Sequence, residues 1–232
     1  MRLLSFGLLG LALAIAPCHR AVAQEWPNRP VTMVVPFPAG AAVDTLARAV
    51  AHALSEDFGK QFIVENRAGA GGNLGATAVA KAAADGHTWL FGTPAPIALN
   101  KFMYKGLAYD SERDFMPTYL PLVAGGKVRA LAVTTSQRVA QLPDVPTVQE
   151  AGFGGFEATA WYAIVAPTGT PPDIVSKVNK AVNAFLKSDK GKTVLEQNSL
   201  QGVGGSPEDL KAFIDSERAK WRPVIEAAKI TM

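Results

Sequence analysis

The chain has 232 residues, 48% hydrophobic and 19% charged, with 23 Lys and Arg against 20 Asp and Glu. That is ordinary globular composition, with enough length for one large domain or two small ones. A net charge of +3 is too small to mark a nucleic-acid partner, and it shrinks further once the first residues are set aside. Met1-Arg2 supplies a short positive start, Leu3 to Ala16 is an almost unbroken apolar run, and Ala21-Val22-Ala23 matches a small-x-small cleavage site. These are the three parts of a secretory signal peptide, residues 1–23, cut before Gln24. The run is too short, and its flanks are wrong, for a spanning helix. The leader holds Arg2 and Arg20 and no acid, which leaves 21 basic against 20 acidic side chains, or +1. Cys18, the one cysteine, falls in the leader, so the mature protein is expected to be exported, soluble and free of disulfides. The alternative, lipid attachment at Cys18, is a poor fit because Pro17 stands where a lipoprotein box needs a small residue.

In the mature chain, Val31 to Pro36 reads as a buried strand. Asp44 to Phe58 reads as a helix with Leu46, Val50, Leu54 and Phe58 on one face, stopped by Gly59. Gln61 to Glu65 is a second strand, Asn73 to Ala84 a second helix stopped by Asp85-Gly86, and Thr88 to Phe91 a third strand. Strands alternating with helices imply parallel pairing through right-handed crossovers, hence an α/β sheet. After a short helix around Ile97 to Tyr104, Tyr109 to Val123 carries two prolines and no clean period. Val128 to Thr134 is again a strand. Thr147 to Glu150 has the spacing of a capping box, and Glu157 to Pro167 reads as a long strand. Thr170 is placed to cap a helix beginning at Pro171-Pro172, with Ile174, Val178, Val182 and Phe185 as its stripe. A helix near Lys192 to Gln197, a strand near Leu200 to Val203 and a helix opened by Ser206 and running to about Ala228 complete the chain. The middle supplies about one good strand, too few for an independent domain.

Two loops carry the candidate chemistry. Pro36 to Asp44 holds two prolines that stiffen the exit from the strand, and Gly40 permits a tight turn. Free amides at Ala41, Ala42 and Val43 would face a crevice. Asp44 has two readings: it orients a ligand group, or it pairs with Arg48 at i+4 near a helix start. Asn66 to Gly75 has three glycines in four positions, which lets a ligand approach the backbone closely. Two such loops side by side would aim free N–H groups and two helix N-termini at one spot, a site for a carboxylate. A dinucleotide site needs G-x-G-x-x-G and an acid about twenty residues on. The spacing here is G-x-G-G-x-x-G, and the next acid, Asp85, belongs to a turn. A glycine-rich turn with no ligand also remains open. His52 and His87 lack neighbouring partners, and there is neither metal spacing nor a nucleophile motif, so no catalytic residue, metal or cofactor is expected.

The segments WPNRPVTMVVPFPAGAAVD, VENRAGAGGNLGATAVAKAAADGHTWLFG, KVRALAVTTSQRVAQLPDVPTVQEAGF and TAWYAIVAPTGTPPDIVSKVN together resemble the substrate-binding proteins of tripartite tricarboxylate transporters, the Bug family. The resemblance covers nearly the whole mature chain. It implies an α/β, periplasmic-binding-protein-like (type II) two-lobed fold, with a small carboxylate held between the lobes and presented to the membrane permease subunits. It implies a monomeric periplasmic binding protein with no enzymatic role. Carried onto this chain, the ligand contacts are Phe37, Pro38, Ala39, Gly40 and Asp44, then Ala70, Gly71, Gly72 and Asn73, with Thr93 bordering the cleft.

The chain departs from the family in two places. Ala41, Ala42 and Val43 stand where the family usually has more glycines and a Thr. After Asp114-Phe115 roughly ninety residues are missing, the scale of most of a small domain, and with them the Ser/Gly/Thr-rich loop that clamps the ligand from the second lobe. The expected layout is therefore a first lobe of residues 24–109 and 157–232 and a second-lobe remnant of residues 110–156. The functional expectation is a solute-binding protein impaired by this loss. The alternatives are a non-binding remnant without a transport role and, third, a nucleotide-binding enzyme.

Overall fold

The computed structural model describes residues 25–119, 132–139, 143–198 and 200–232. The leader expectation and the Cys18 alternative lie outside these residues. So do the first four residues of the strand expected over Val128 to Thr134. Among the described residues no helix is long and apolar enough to cross a membrane.

Among the described residues five strands form one sheet. In chain order they are β1 (Val31–Val35), β2 (Phe62–Asn66), β3 (Thr88–Gly92), β4 (Phe115–Tyr119) and β5 (Ala163–Pro167), arranged β2-β1-β3-β5-β4. β1 pairs in parallel with β2, from Val31 opposite Phe62 to Val35 opposite Asn66, and in parallel with β3, with Thr32 opposite Thr88. These are the strands whose alternation with helices implied parallel pairing. β5 runs antiparallel to both β3 and β4, so the sheet is mixed. β1 and β5 are almost wholly apolar because helices cover both faces of the sheet.

On one face lie α1 (Ala42–Phe58), α4 (Pro172–Lys187) and α5 (Asp189–Gln197), which bury Leu46, Val50, Leu54, Val178 and Val182 against Val31, Met33, Val35, Trp89 and Phe91. On the other lie α2 (Asn73–Ala80) and α6 (Pro207–Ala227), which bury Ala76, Val79, Leu210 and Ile214 against Val34, Leu90 and Val165. Side chains alternate between these two cores along β1 and β3, as the pleat requires. α3 (Asn100–Met103) follows one wide helical turn at Ala95–Leu99. α1 closes on Gly59 in the left-handed region, φ 62. α6 opens on Ser206, which forms a complete capping box with Asp209.

Several expectations are corrected. Phe115–Tyr119, read as patternless, is a strand of the sheet. Pro117 hides it from a pattern search but is tolerated because β4 is an edge strand, with a register irregularity between Pro117 and Tyr119. Residues 115–119 therefore pair with β5 in the same sheet as β1, β2 and β3. β5 is shorter than Glu157 to Pro167, beginning at Ala163. α2 stops at Ala80, because beyond Val79 the stretch to Asp85 has no large apolar side chain to bury. Thr170 does not cap α4. Its hydroxyl donates to the Pro167 carbonyl at 2.8 Å and closes the turn after β5, and Pro171 stands at the cap. Residues 200–203 are not a strand. In the middle, Val133 makes a single bridge with Thr147. The Thr147/Glu150 box is present, with reciprocal bonds of 2.7 and 3.0 Å, but it opens only one turn, where the Ala151 amide reaches the Thr147 carbonyl at 3.1 Å.

Candidate functional site

The parallel strands β1, β2 and β3 all end at one edge of the sheet. From there α1 crosses to one face and α2 to the other, so β1 and β3 flank a topological switch point. Open α/β sheets bind ligands in the crevice outside the strand ends at such a point. Three segments line it: Pro36 to Ala41 after β1, Arg67 to Gly72 after β2, and Thr93 to Pro96 after β3.

The first segment is held by Asp44, which is 3% exposed. Its Oδ2 accepts from the Gly40 amide at 2.9 Å and from Arg48 Nε at 3.0 Å. Its Oδ1 accepts from Asn66 Nδ2 at 2.9 Å and faces Arg48 Nη2 at 3.0 Å. Asn66 Nδ2 also reaches the Phe37 carbonyl at 3.0 Å, and Arg48 Nη2 reaches Asn66 Oδ1 at 3.0 Å. Burial alone would push the Asp44 carboxyl up. The Arg48, Gly40 and Asn66 hydrogen bonds outweigh it and hold the group below the ordinary aspartate range. The geometry thus uses Asp44 in the pairing with Arg48, and both carboxylate oxygens are occupied by the protein's own donors. Pro38, Ala39, Gly40 and Ala42 are exposed, Phe37 is half-buried, and Gly40 turns the chain at φ 84. Among the described residues no partner meets the N–H groups of Ala41, Ala42 or Val43.

The second segment makes a left-handed turn. Ala70, Gly71 and Gly72 have φ of 48, 63 and 92 in succession, a path that Gly71 and Gly72 permit at little cost. The turn is pinned from below. Asn100, 2% exposed, donates through Nδ2 to the Gly71 carbonyl at 3.0 Å and to Asn73 Oδ1 at 2.6 Å. The buried Tyr109 hydroxyl lies 2.7 Å from the Pro96 carbonyl and 3.0 Å from Asn73 Oδ1, and burial pushes its pKa well up. With Gly71 O turned down, the Ala70 and Gly71 amides have no partner among the described residues. Ala70 and Gly71 are exposed, while Gly72 and Asn73 are buried.

The segments touch one another. Asn66 joins the second to the first, and a Cβ on Gly72 would stand 3.2 Å from Pro96 Cγ. Thr93 is half-buried at the end of β3, its carbonyl accepting from the Ile97 amide at 3.4 Å. The expected residues Phe37 to Gly40, Asp44, Ala70 to Asn73 and Thr93 are therefore brought to one sheet edge. Asn66, Arg48, Asn100 and Tyr109, which hold them, were not among the expected site residues. His52 sits on the surface with Glu56 and Lys190, and His87 is buried beside Asp85. A cavity of about 220 Å³ lined by Ile97, Phe115, Ile214 and Arg218 lies under α6. No metal-binding cluster exists among the described residues.

Gly75 fixes how closely α2 approaches β1. A Cβ there would stand 2.8 Å from Pro36 Cβ and 3.0 Å from the Arg67 carbonyl. Gly75→Ala should destabilise the fold by about 1–3 kcal/mol through overpacking, read as a lower urea midpoint at unchanged m-value.

Comparison with known proteins places this geometry in a family. The profile described as tripartite tricarboxylate transporter family receptor matches residues 46–118 and again 115–230. A UPF0065 protein from a tcbD–tcbE intergenic region of Pseudomonas sp. is 30% identical, over 94% of this chain and 92% of the relative. The solved structure of R. palustris Rpa4515 with adipate superposes with a TM-score of 0.79 at 28% identity, covering 90% of this chain and all of that one. MatC from Rhodopseudomonas palustris with bound malate superposes with a TM-score of 0.75 at 25% identity, covering 86% of this chain and all of that one. The two profile matches meet at residues 115–118. The alignment to the Pseudomonas protein runs over 311 positions and takes in 94% of this chain's 232 residues, about 218, so about 93 positions are filled by the relative alone. The fold is accordingly the two-lobed, periplasmic-binding-protein-like α/β fold with one lobe largely missing, and the chain belongs to the tripartite tricarboxylate transporter receptor family.

Proposed function

We propose that this chain is an extracytoplasmic solute-binding protein that holds a small carboxylate weakly at the β1/β3 switch point and serves a tripartite tricarboxylate-type permease. The observation that carries this reading is the set of amides at Ala41, Ala42, Val43, Ala70 and Gly71, unpartnered among the described residues, beside the N-termini of α1 and α2. Partial positive charge at helix starts favours an anion there. Adipate and malate, named with two structural relatives, are the first acids to try. Phe37, Pro38, Ala39, Gly40, Ala70, Gly71, Gly72, Asn73 and Thr93 form the contact surface, and Asp44 acts by holding the first loop in shape. The first lobe comprises residues 24–109 and 157–232 together with β4. The protein acts as a monomer in the periplasm after removal of residues 1–23.

The second reading, a remnant that no longer binds, is favoured by the missing second-lobe segment. The two are separated by thermal unfolding of the mature chain in malate or adipate at matched ionic strength. With a Kd of about 1 mM, 10 mM ligand stabilises the native state by about 1.4 kcal/mol, which raises the midpoint by about 3 °C. A midpoint that moves no more than it does in a neutral diol overturns the binding reading in favour of the remnant.

A further inference from the structure

Tyr104 ends α3, and its side chain returns to the second loop. A Cβ built on Gly71 would stand 2.5 Å from the Tyr104 hydroxyl oxygen and 3.3 Å from its Cζ. The hydroxyl therefore fills the space beside an exposed, left-handed glycine whose amide has no partner among the described residues. The neighbouring polar groups are already engaged: Asn100 Nδ2 with Gly71 O and Asn73, and the Tyr109 hydroxyl with Pro96 O and Asn73. The Tyr104 hydroxyl itself makes no hydrogen bond with any described residue. Backbone geometry puts Cβ about 2.5 Å from its own amide nitrogen. The hydroxyl oxygen is then at most about 5 Å from the Gly71 nitrogen. One carboxylate, accepting at about 2.8–2.9 Å on each of its two oxygens, spans donors that far apart.

We propose that the Tyr104 hydroxyl donates a hydrogen bond to the ligand carboxylate beside the Gly71 amide, adding one side-chain donor to a cradle otherwise built from backbone. This rests on the carboxylate-binding reading above. The hydroxyl also sets a second requirement on the site. It occupies the flank of Gly71, so the ligand carboxylate must reach the Gly71 amide past the Tyr104 hydroxyl. Gly71 is tied to the same arrangement, since a side chain at that position would displace the Tyr104 hydroxyl.

The test is Tyr104→Phe, which keeps the ring and removes only the donor. Malate affinity is read by NMR titration of the natural chain and the variant, and the thermal midpoint is measured without ligand. Binding about tenfold weaker at an unchanged midpoint is the expected result. Equal affinities overturn the inference while leaving the carboxylate reading in place. Weaker binding with a lowered midpoint assigns the hydroxyl to the scaffold and also overturns the inference. A natural chain that binds no acid overturns the carboxylate reading, and this inference falls with it.

Discussion

Inserting the second-lobe segment of a full-length family member after β4 should tighten carboxylate binding by about 10²- to 10⁴-fold. A two-lobed receptor surrounds its ligand and supplies donors from both sides. Under the proposal, the two loops offer backbone amides at one sheet edge, and a second lobe would add donors from the opposite side. Each charge-assisted hydrogen bond regained from a second lobe is worth about 1.5–3 kcal/mol. Two of them give about 3–6 kcal/mol, which is the stated range of affinity. The insertion point is set by β4, whose Phe115–Tyr119 backbone pairs with β5 and must stay in the sheet. Equilibrium titration of both proteins with the same acid decides the matter. Equal affinities in two folded proteins would mean that the first-lobe loops are not half of the site.

The second large effect is expected at Asp44. Its two oxygens gather Gly40, Arg48 and Asn66 at 2.9–3.0 Å. Asp44→Asn replaces one acceptor with a donor in the middle of these donors and removes the charge opposite Arg48. The cost should be about 2–3 kcal/mol. Arg48 is half exposed and can turn to water, so the larger penalty of a stranded buried charge does not arise. The pH dependence follows from the lowered carboxyl. A group whose folded pKa lies below its unfolded value contributes stability above the unfolded value, about 3.9, and loses it as pH falls through the folded value. The difference in urea midpoint between the natural chain and Asp44→Asn should be full at pH 7 and shrink below about pH 4. A difference that stays constant down to pH 2.5 would show that the carboxylate charge contributes nothing. Because Asn66 shares the network, Asn66→Ala combined with Asp44→Asn should cost less than the two changes separately.

The parts of the fold that were legible in the sequence are those whose pattern has one cause. VTMVV is a buried strand wherever it stands, and Leu46, Val50 and Leu54 at four-residue steps leave α1 no other face to bury. Ser206 with Asp209 at N3 announced α6 correctly. β4 was hidden because Pro117 is compatible with a strand only at a sheet edge, and edge position is a property of the whole sheet. The antiparallel direction of β5 was equally invisible, since Ala163 to Pro167 is as apolar as a parallel strand. At the site, the glycines at 71 and 72 point to a close backbone approach, and both take positive φ, 63 and 92. Asp44 had two readings on sequence grounds, and only the positions of Gly40, Arg48 and Asn66 distinguish them. Asn100 and Tyr104 lie 29 or more residues beyond Gly71, which they touch, so no local spacing could announce them.

In the proposed site, two loops at one sheet edge form one jaw for a carboxylate. The most direct test is a residue-by-residue NMR titration of the amide groups with malate. The amides of Ala41, Ala42, Val43, Ala70 and Gly71 should move together along one binding curve with a Kd of about 1 mM, while those of α6 stay still. Shifts confined to the residues around the cavity at Ile97 and Arg218, or no saturable shift at the two loops, would contradict it.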